Sequence, residues 1–304
     1  MAGFGLKATT RKPQSRANTS SLCIASFNLN SVDYQTNFSG FCAVSVDKMA
    51  VTDAYNKRVL FFNSSGKITG TAGLGKLRGP EGICYYDNKW IVSDSGVDKQ
   101  RLVVYDDEDR GKFLRQFQTQ DNTEPGHIAV SPNLIAVLNM MSQSITVYDH
   151  TGQIHARISP TLSEKDKRFQ EYLLYEVEAP TDYISPERCA FDSDENLYVT
   201  FGTAASMVKV YTSKGEFVRQ FGNWRSATAL SVTPRGNVLV VDTEERKVDV
   251  LSREGDMIKQ SLLSPANGLN LYPHHISVLD GNVIALTLSN DLFSSPNIIQ
   301  LFQL

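Results

Sequence analysis

The sequence predicts an all-β chain folded as a six-bladed β-propeller of four-stranded blades. Three observations predict it. A four-strand unit recurs along the chain. Its spacing falls mainly in the forties. The last unit is one strand short, and a surplus strand stands at the opposite end of the chain.

The unit is clearest over Ser185–Gly222, SPERCAFDSDENLYVTFGTAASMVKVYTSKGEFVRQFG. Arg188–Asp192, Asn196–Phe201, Met207–Thr212 and Glu216–Phe221 each read as a strand, rich in residues that suit a pleated, half-buried surface. Asp194-Glu195-Asn196 and Ser213-Lys214-Gly215 supply turn chemistry between them. One such meander cannot bury both faces, so it needs neighbours. With Phe191 as anchor, equivalent apolar residues are Val44, Tyr85, Val130, Val232 and Val278, in the strings GFCAV, EGICY, GHIAV, ERCAF, TALSV and HHISV. The steps are 41, 45, 61, 41 and 46 residues, so six units fit and one carries an insertion.

The sixth unit offers His275–Asp280, Asn282–Ser289 and Asn297–Leu304, which is three strands. Ser21–Asn28 lies ahead of the first complete unit and supplies the fourth, so the ring closes without leaving a strand edge unpaired.

Taken in order, residues 1–20 read as a flexible basic lead-in, as if the domain were cut from a longer chain, and 21–304 as the propeller. Blade one spans about Ser39–Gly73, blade two Gly79–Gln118 and blade three Glu124–Ser159. The insertion over 160–184 follows, with Phe169, Tyr172, Leu173 and Val177 at helical spacing. Blades four to six complete the chain. The four cysteines, Cys23, Cys42, Cys84 and Cys189, read as buried reduced thiols, which suits a reducing, cytoplasmic setting. No apolar run reaches membrane-span length, and the start of the chain has no hydrophobic core of a signal peptide. A net charge of −3 argues against a strongly cationic nucleic-acid binder but leaves room for a local patch.

Two segments carry a family resemblance. LRGPEGICYYDNKWIVSDSGVDKQRLVVYDDEDRGKFLRQF and the Ser185–Gly222 unit resemble NHL repeats, and AVSVDKMAVTDAYNKRVLFFNSSGKI is similar. The shared parts are a Pro-x-Gly-like opening, an aspartate at the first turn, an aspartate ending the second strand, and Gly-Lys/Glu-Phe before the last strand. Blade three departs at Leu138-Asn139 and blade six at Thr287-Leu288. The resemblance implies the C-terminal propeller of a TRIM-NHL-type protein, whose relatives act in ubiquitin ligation and translational control. Several bind single-stranded or stem-loop RNA on one face, and others use that face for proteins. Ligase chemistry would lie in upstream domains outside this chain.

Propellers place ligands at one mouth of the central channel. Here that face is built from the loops leading into each first strand and those joining second to third strands. The RNA-binding candidates are Tyr183, Arg188, Trp224, Arg225, Tyr272, His274, His275, Tyr55, Arg58, Lys99 and Arg101. Cations meet phosphates, rings stack on bases at about 1–3 kcal/mol each, and imidazoles read base edges. Glu81, Glu187, Glu244 and Glu245 would repel phosphates, so the groove should follow only the Tyr183, Trp224-Arg225, Tyr272-His274 arc.

His127 and His275 fall at equivalent positions, with His274 adjacent, and some propeller lyases hold catalytic zinc on channel histidines. The equivalent positions elsewhere carry Arg188, Ala229 and Gly82, so a third ligand from the same loop set is absent unless His274 serves. The sequence therefore points to a cytoplasmic, non-enzymatic recognition module without cofactor, metal, membrane or small-molecule substrate. Its first expected partner is single-stranded, U-rich RNA in post-transcriptional regulation. The alternative is a protein platform recruiting partners or ubiquitination substrates, and the third reading is a metal-dependent propeller enzyme.

Overall fold

The computed structural model describes residues 22–29, 37–96, 99–109, 111–119, 124–139, 142–160, 185–202, 206–267, 269–280, 282–292 and 294–303. The expected lead-in over 1–20 and nearly all of the 160–184 insertion lie outside them.

The chain begins with β1 (Leu22–Asn28). Blade one is β2 (Phe38–Ser45), β3 (Lys48–Asp53), β4 (Arg58–Phe62) and β5 (Ile68–Ala72). Blade two is β6 (Pro80–Tyr86), β7 (Lys89–Gly96), β8 (Lys99–Asp106) and β9 (Phe113–Gln118). Blade three is β10 (Pro125–Val130), β11 (Leu134–Asn139), β12 (Ser144–Asp149) and β13 (Ile154–Ile158). Blade four is β14 (Ser185–Phe191), β15 (Leu197–Gly202), β16 (Ser206–Tyr211) and β17 (Phe217–Trp224). Blade five is β18 (Ala227–Val232), β19 (Val238–Asp242), β20 (Lys247–Leu251) and β21 (Met257–Leu263). Blade six has β22 (Tyr272–Leu279), β23 (Val283–Ser289) and β24 (Ile298–Gln303), and β1 pairs antiparallel with β24 as its outer strand.

The six sheets form one ring. Inner strands β2, β6, β10, β14, β18 and β22 contact one another in order, and β22 meets β2. Second strands such as β3, β11 and β23 are buried almost throughout, because each is covered on both faces by neighbouring blades. Six apolar clusters result, each bridging one adjacent pair of blades. The cluster between blades six and one includes Ala25 and Phe27, so β1 contributes packing as well as hydrogen bonds.

The turns before the outer strands repeat one device. Gly66, Gly111, Gly152, Gly215 and Gly255 all have positive φ, a conformation disfavoured for residues with a Cβ. Each also sits against the outer part of the preceding blade. A Cβ on Gly111 would come within 2.6 Å of Ala72, on Gly152 within 2.9 Å of Phe117, and on Gly255 within 2.4 Å of Phe221. For Gly66 the neighbour is Phe27 of β1, which confirms the N-terminal strand as the outer strand of blade six.

The cysteine expectation needs correction. Cys84 and Cys189 are buried, but Cys42 is only partly covered and Cys23 is exposed. Cys23 lies on β1, whose outer edge faces no further strand of its sheet.

Candidate functional site

The mouth of the channel is shaped by how the second strands of blades one, two and five hold the loops beside them. In blade two, Asp94 Oδ1 accepts from the backbone N–H groups of Arg78 (2.7 Å) and Gly79 (2.8 Å), while Oδ2 accepts from Arg101 Nε at 2.9 Å. In blade one, Asp53 accepts from Asn56 N at 3.2 Å and from Arg58 Nε at 3.1 Å. In blade five, Asp242 accepts from the backbone N–H groups of Arg225 and Ser226. The residues across the ladder from these aspartates are Arg58, Arg101 and Lys247. The pattern is a buried carboxylate that staples a loop and, in blades one and two, neutralises a cation beside it.

This corrects three assignments. Arg101 is buried, paired with Asp94, and donates also to Gln116 Oε1 and the backbone oxygen of Lys76. Arg58 is held by Asp53. Both are structural and unavailable to phosphates. Trp224 is 5% exposed and donates Nε1–H to Asp249 Oδ2 at 3.0 Å, so it cannot stack on a base. Gly222 makes this possible: a Cβ there would lie 1.8 Å from the indole, so the missing side chain lets Trp224 fold inward.

The remaining candidates separate into two groups. On the rim, Tyr55 is 60% exposed. The side chain of Arg225 is 73% exposed and pairs with Glu245 at 3.0 Å. Arg246 lies over the Tyr272 ring, 5.2 Å from its centroid. Lys99 opens β8, and Tyr183 falls outside the described residues. At the centre, Arg188, His274 and His275 line a cavity of about 390 Å³ with Ser39, Glu81, His127, Glu187 and Thr228. Sequence reasoning had set Glu81 and Glu187 aside as repulsive; the structure places both in the wall of this cavity.

Bulged registers in the inner strands put His127, Arg188 and His275 at matching channel positions. Gly40 and Gly82 occupy two further positions, where a Cβ would meet Glu81 O at 2.2 Å and Gly126 O at 2.8 Å. Blade one therefore approaches blade two, and blade two approaches blade three, backbone to backbone, while blades three, four and six fill the channel with side chains. The three side chains also line a second cavity of about 200 Å³ further along the channel, so they form a polar septum between the two.

The septum is densely hydrogen-bonded. His275 Nε2 faces both Arg188 NH2 at 3.0 Å and the backbone oxygen of Ser39 at 2.9 Å, and Nδ1 lies 2.7 Å from Thr287 Oγ1. Burial first, and the Arg188 charge second, push the pKa values of His127 and His275 well below the usual 6.5. Burial takes His274 down to about 4, and its Nε2 lies 2.7 Å from Ser289 Oγ. Burial also raises the carboxyl pKa values of Glu81 and Glu187, against the opposing pull of Arg188. Among the described residues no group of three or more His, Cys, Asp or Glu is placed to hold a metal ion. No helix of the described residues is long and apolar enough to cross a membrane.

Several solved structures share this architecture. The chain is similar to a streptogramin B lyase at a TM-score of 0.63 and 15% identity, covering 92% of this chain and 87% of that one. A catalytically inactive virginiamycin B lyase from Staphylococcus aureus with quinupristin matches at 0.58 and 15%, covering 86% and 79%. The WD40 β-propeller domain of Doa1 matches at 0.59 and 12%, covering 94% and 97%. At these identities the likeness shows the fold alone. No protein-family model matches the sequence, and no curated protein matches it. The chain is a six-bladed β-propeller, and the NHL motifs remain a resemblance.

Proposed function

We propose that this propeller is a non-catalytic recognition module that docks a polypeptide segment carrying positive charge on the channel-mouth face. The observation that carries the reading is the cavity at the mouth, walled by Glu81 and Glu187. Burial disfavours both carboxylates, and neither has a cation within ion-pair distance among the described residues. A cationic group entering the cavity relieves that cost, whereas a phosphate would worsen it.

One observation favours single-stranded RNA as a second reading. The exposed Arg225 and the half-buried Arg246 and Tyr272 form a cation-and-ring surface on the blade five–six rim. Fluorescence polarisation separates the two, using a labelled lysine-containing decapeptide and a labelled U-rich RNA at two salt concentrations. The peptide should bind wild type, weaken at least tenfold with Glu187→Gln, and be indifferent to Arg225→Ala. RNA that binds tighter than the peptide, loses affinity steeply with salt and depends on Arg225 would replace this reading with the second one.

A further inference from the structure

The cavity contains a cation as well as two carboxylates; Glu81 is hydrogen-bonded to Ser39, and among the described residues none of the three is held in an ion pair. Arg188 NH1 donates to the backbone oxygen of Glu187 at 2.8 Å, and NH2 lies 3.0 Å from His275 Nε2. Both partners are neutral. Its Nε is fully buried and meets no acceptor among the described residues. The Glu187 carboxylate stays partly open to the cavity and fills space over Gly202, where a Cβ would lie 2.6 Å from Oε1. In blades one, two and five the position of Phe201 carries the stapling aspartate. Blade four lacks the staple and carries its carboxylate, Glu187, in the channel wall, where no hydrogen-bond donor meets it among the described residues.

A ligand suited to these walls must bring a cation for Glu81 and Glu187 and, beside it, an oxygen for Arg188. We propose that the cavity captures the free N-terminus of a polypeptide: the α-ammonium lies against Glu81 and Glu187, and the first carbonyl oxygen accepts from the Arg188 guanidinium. A lysine or arginine tip would satisfy the carboxylates but would place a second cation against Arg188 without an acceptor for it. Three neutral histidines around the site add no competing charge near pH 7. The ring of strands fixes the walls before binding, so little ordering is needed on the protein side. This inference deepens the docking function above and rests on it.

The test is isothermal titration of the whole chain with four probes: a short lysine-containing peptide with a free amine, the same peptide N-acetylated, a matching lysine-free peptide with a free amine, and free alanine. Both free-amine peptides should bind, acetylation should cost at least tenfold, and Glu187→Gln and Arg188→Gln should each cost about tenfold. Binding should also weaken as pH falls from 7 toward 4.5, because the ammonium needs ionised carboxylates whose pKa values are raised. Free alanine binding as well as the peptides would assign the site to small amino acids and overturn capture of a chain terminus. Equal binding of the acetylated and free lysine peptides would overturn the inference and leave the docking function standing. No binding of any peptide would overturn both. Circular dichroism melts of the two variants show whether a loss reflects the site or the fold, and Gly202→Ala, which displaces Glu187 without changing charge, repeats the test with the residue itself intact.

Discussion

At the scale of single residues, the same chemical group serves opposite purposes according to burial. Trp224 and Tyr55 are both aromatic residues near the channel-mouth loops, but Trp224 is core and Tyr55 is free. Replacing Trp224 with Ala should therefore cost about 3–5 kcal/mol of stability in denaturant unfolding, as for other large core aromatics, and leave Asp249 without its indole donor. Tyr55→Ala should change stability by less than about 0.5 kcal/mol. Glu187 carries a prediction of opposite sign. Its folded-state pKa is raised, so the ionised form is disfavoured by folding, and its stabilising effect is present at low pH and lost as pH rises through the raised value. Glu187→Gln should melt at or above the wild-type temperature at pH 7, and the difference should shrink toward pH 4. A variant less stable than wild type at pH 7 would show that the carboxylate holds the fold together. His127 and His275 act the other way: their depressed pKa values mean stability is lost as pH falls below 6.5, by roughly 1.4 kcal/mol per pH unit for each.

At the scale of elements, the decisive features are the turn before each outer strand and the aspartate ending second strands. Gly111→Ala combines a positive φ with a 2.6 Å approach to Ala72 of the preceding blade. It should destabilise by more than about 1 kcal/mol, whereas Gly75→Ala, with equally positive φ and open space, should cost only the backbone strain. Strands were legible because apolar runs and Gly or Asp turns alternate at short spacing, and strand ends moved by only a residue or a few: the expected Glu216–Phe221 is Phe217–Trp224. The stapling aspartates were legible as a motif but not as a cause. Asp53 and Arg58, Asp94 and Arg101, and Asp242 and Lys247 sit on facing ladder positions, a pairing visible in sequence once the hairpin register is known. Without that register a loop arginine looks alike whether free or locked, so Arg58 and Arg101 read as ligands for phosphate. The folded-in indole had a signal too, in Gly222 two residues before Trp224. The missing staple of blade four is foreshadowed by Phe201 standing where the aspartate recurs.

At the scale of the whole molecule, ring closure turns six weak sheets into one body around a central channel. Closure was legible because a strand count has simple arithmetic: one unit lacked a strand that the other end supplied, and β1 pairs with β24 as that count requires. The chemistry of the mouth was less legible, since Glu81, His127, Glu187, Arg188, His274 and His275 come from four blades and converge only after closure, and no short motif spans them. The central claim is that partners dock at this mouth, and hydrogen exchange with and without the free-amine lysine peptide tests it most directly. Backbone amides leading into β2, β6, β14 and β22, around Ser39, Glu81, Glu187 and His274, should gain protection while the turns at 63–67, 106–109 and 212–216 on the opposite face stay unchanged. Protection confined to those opposite turns, with no change at the mouth, would contradict the claim.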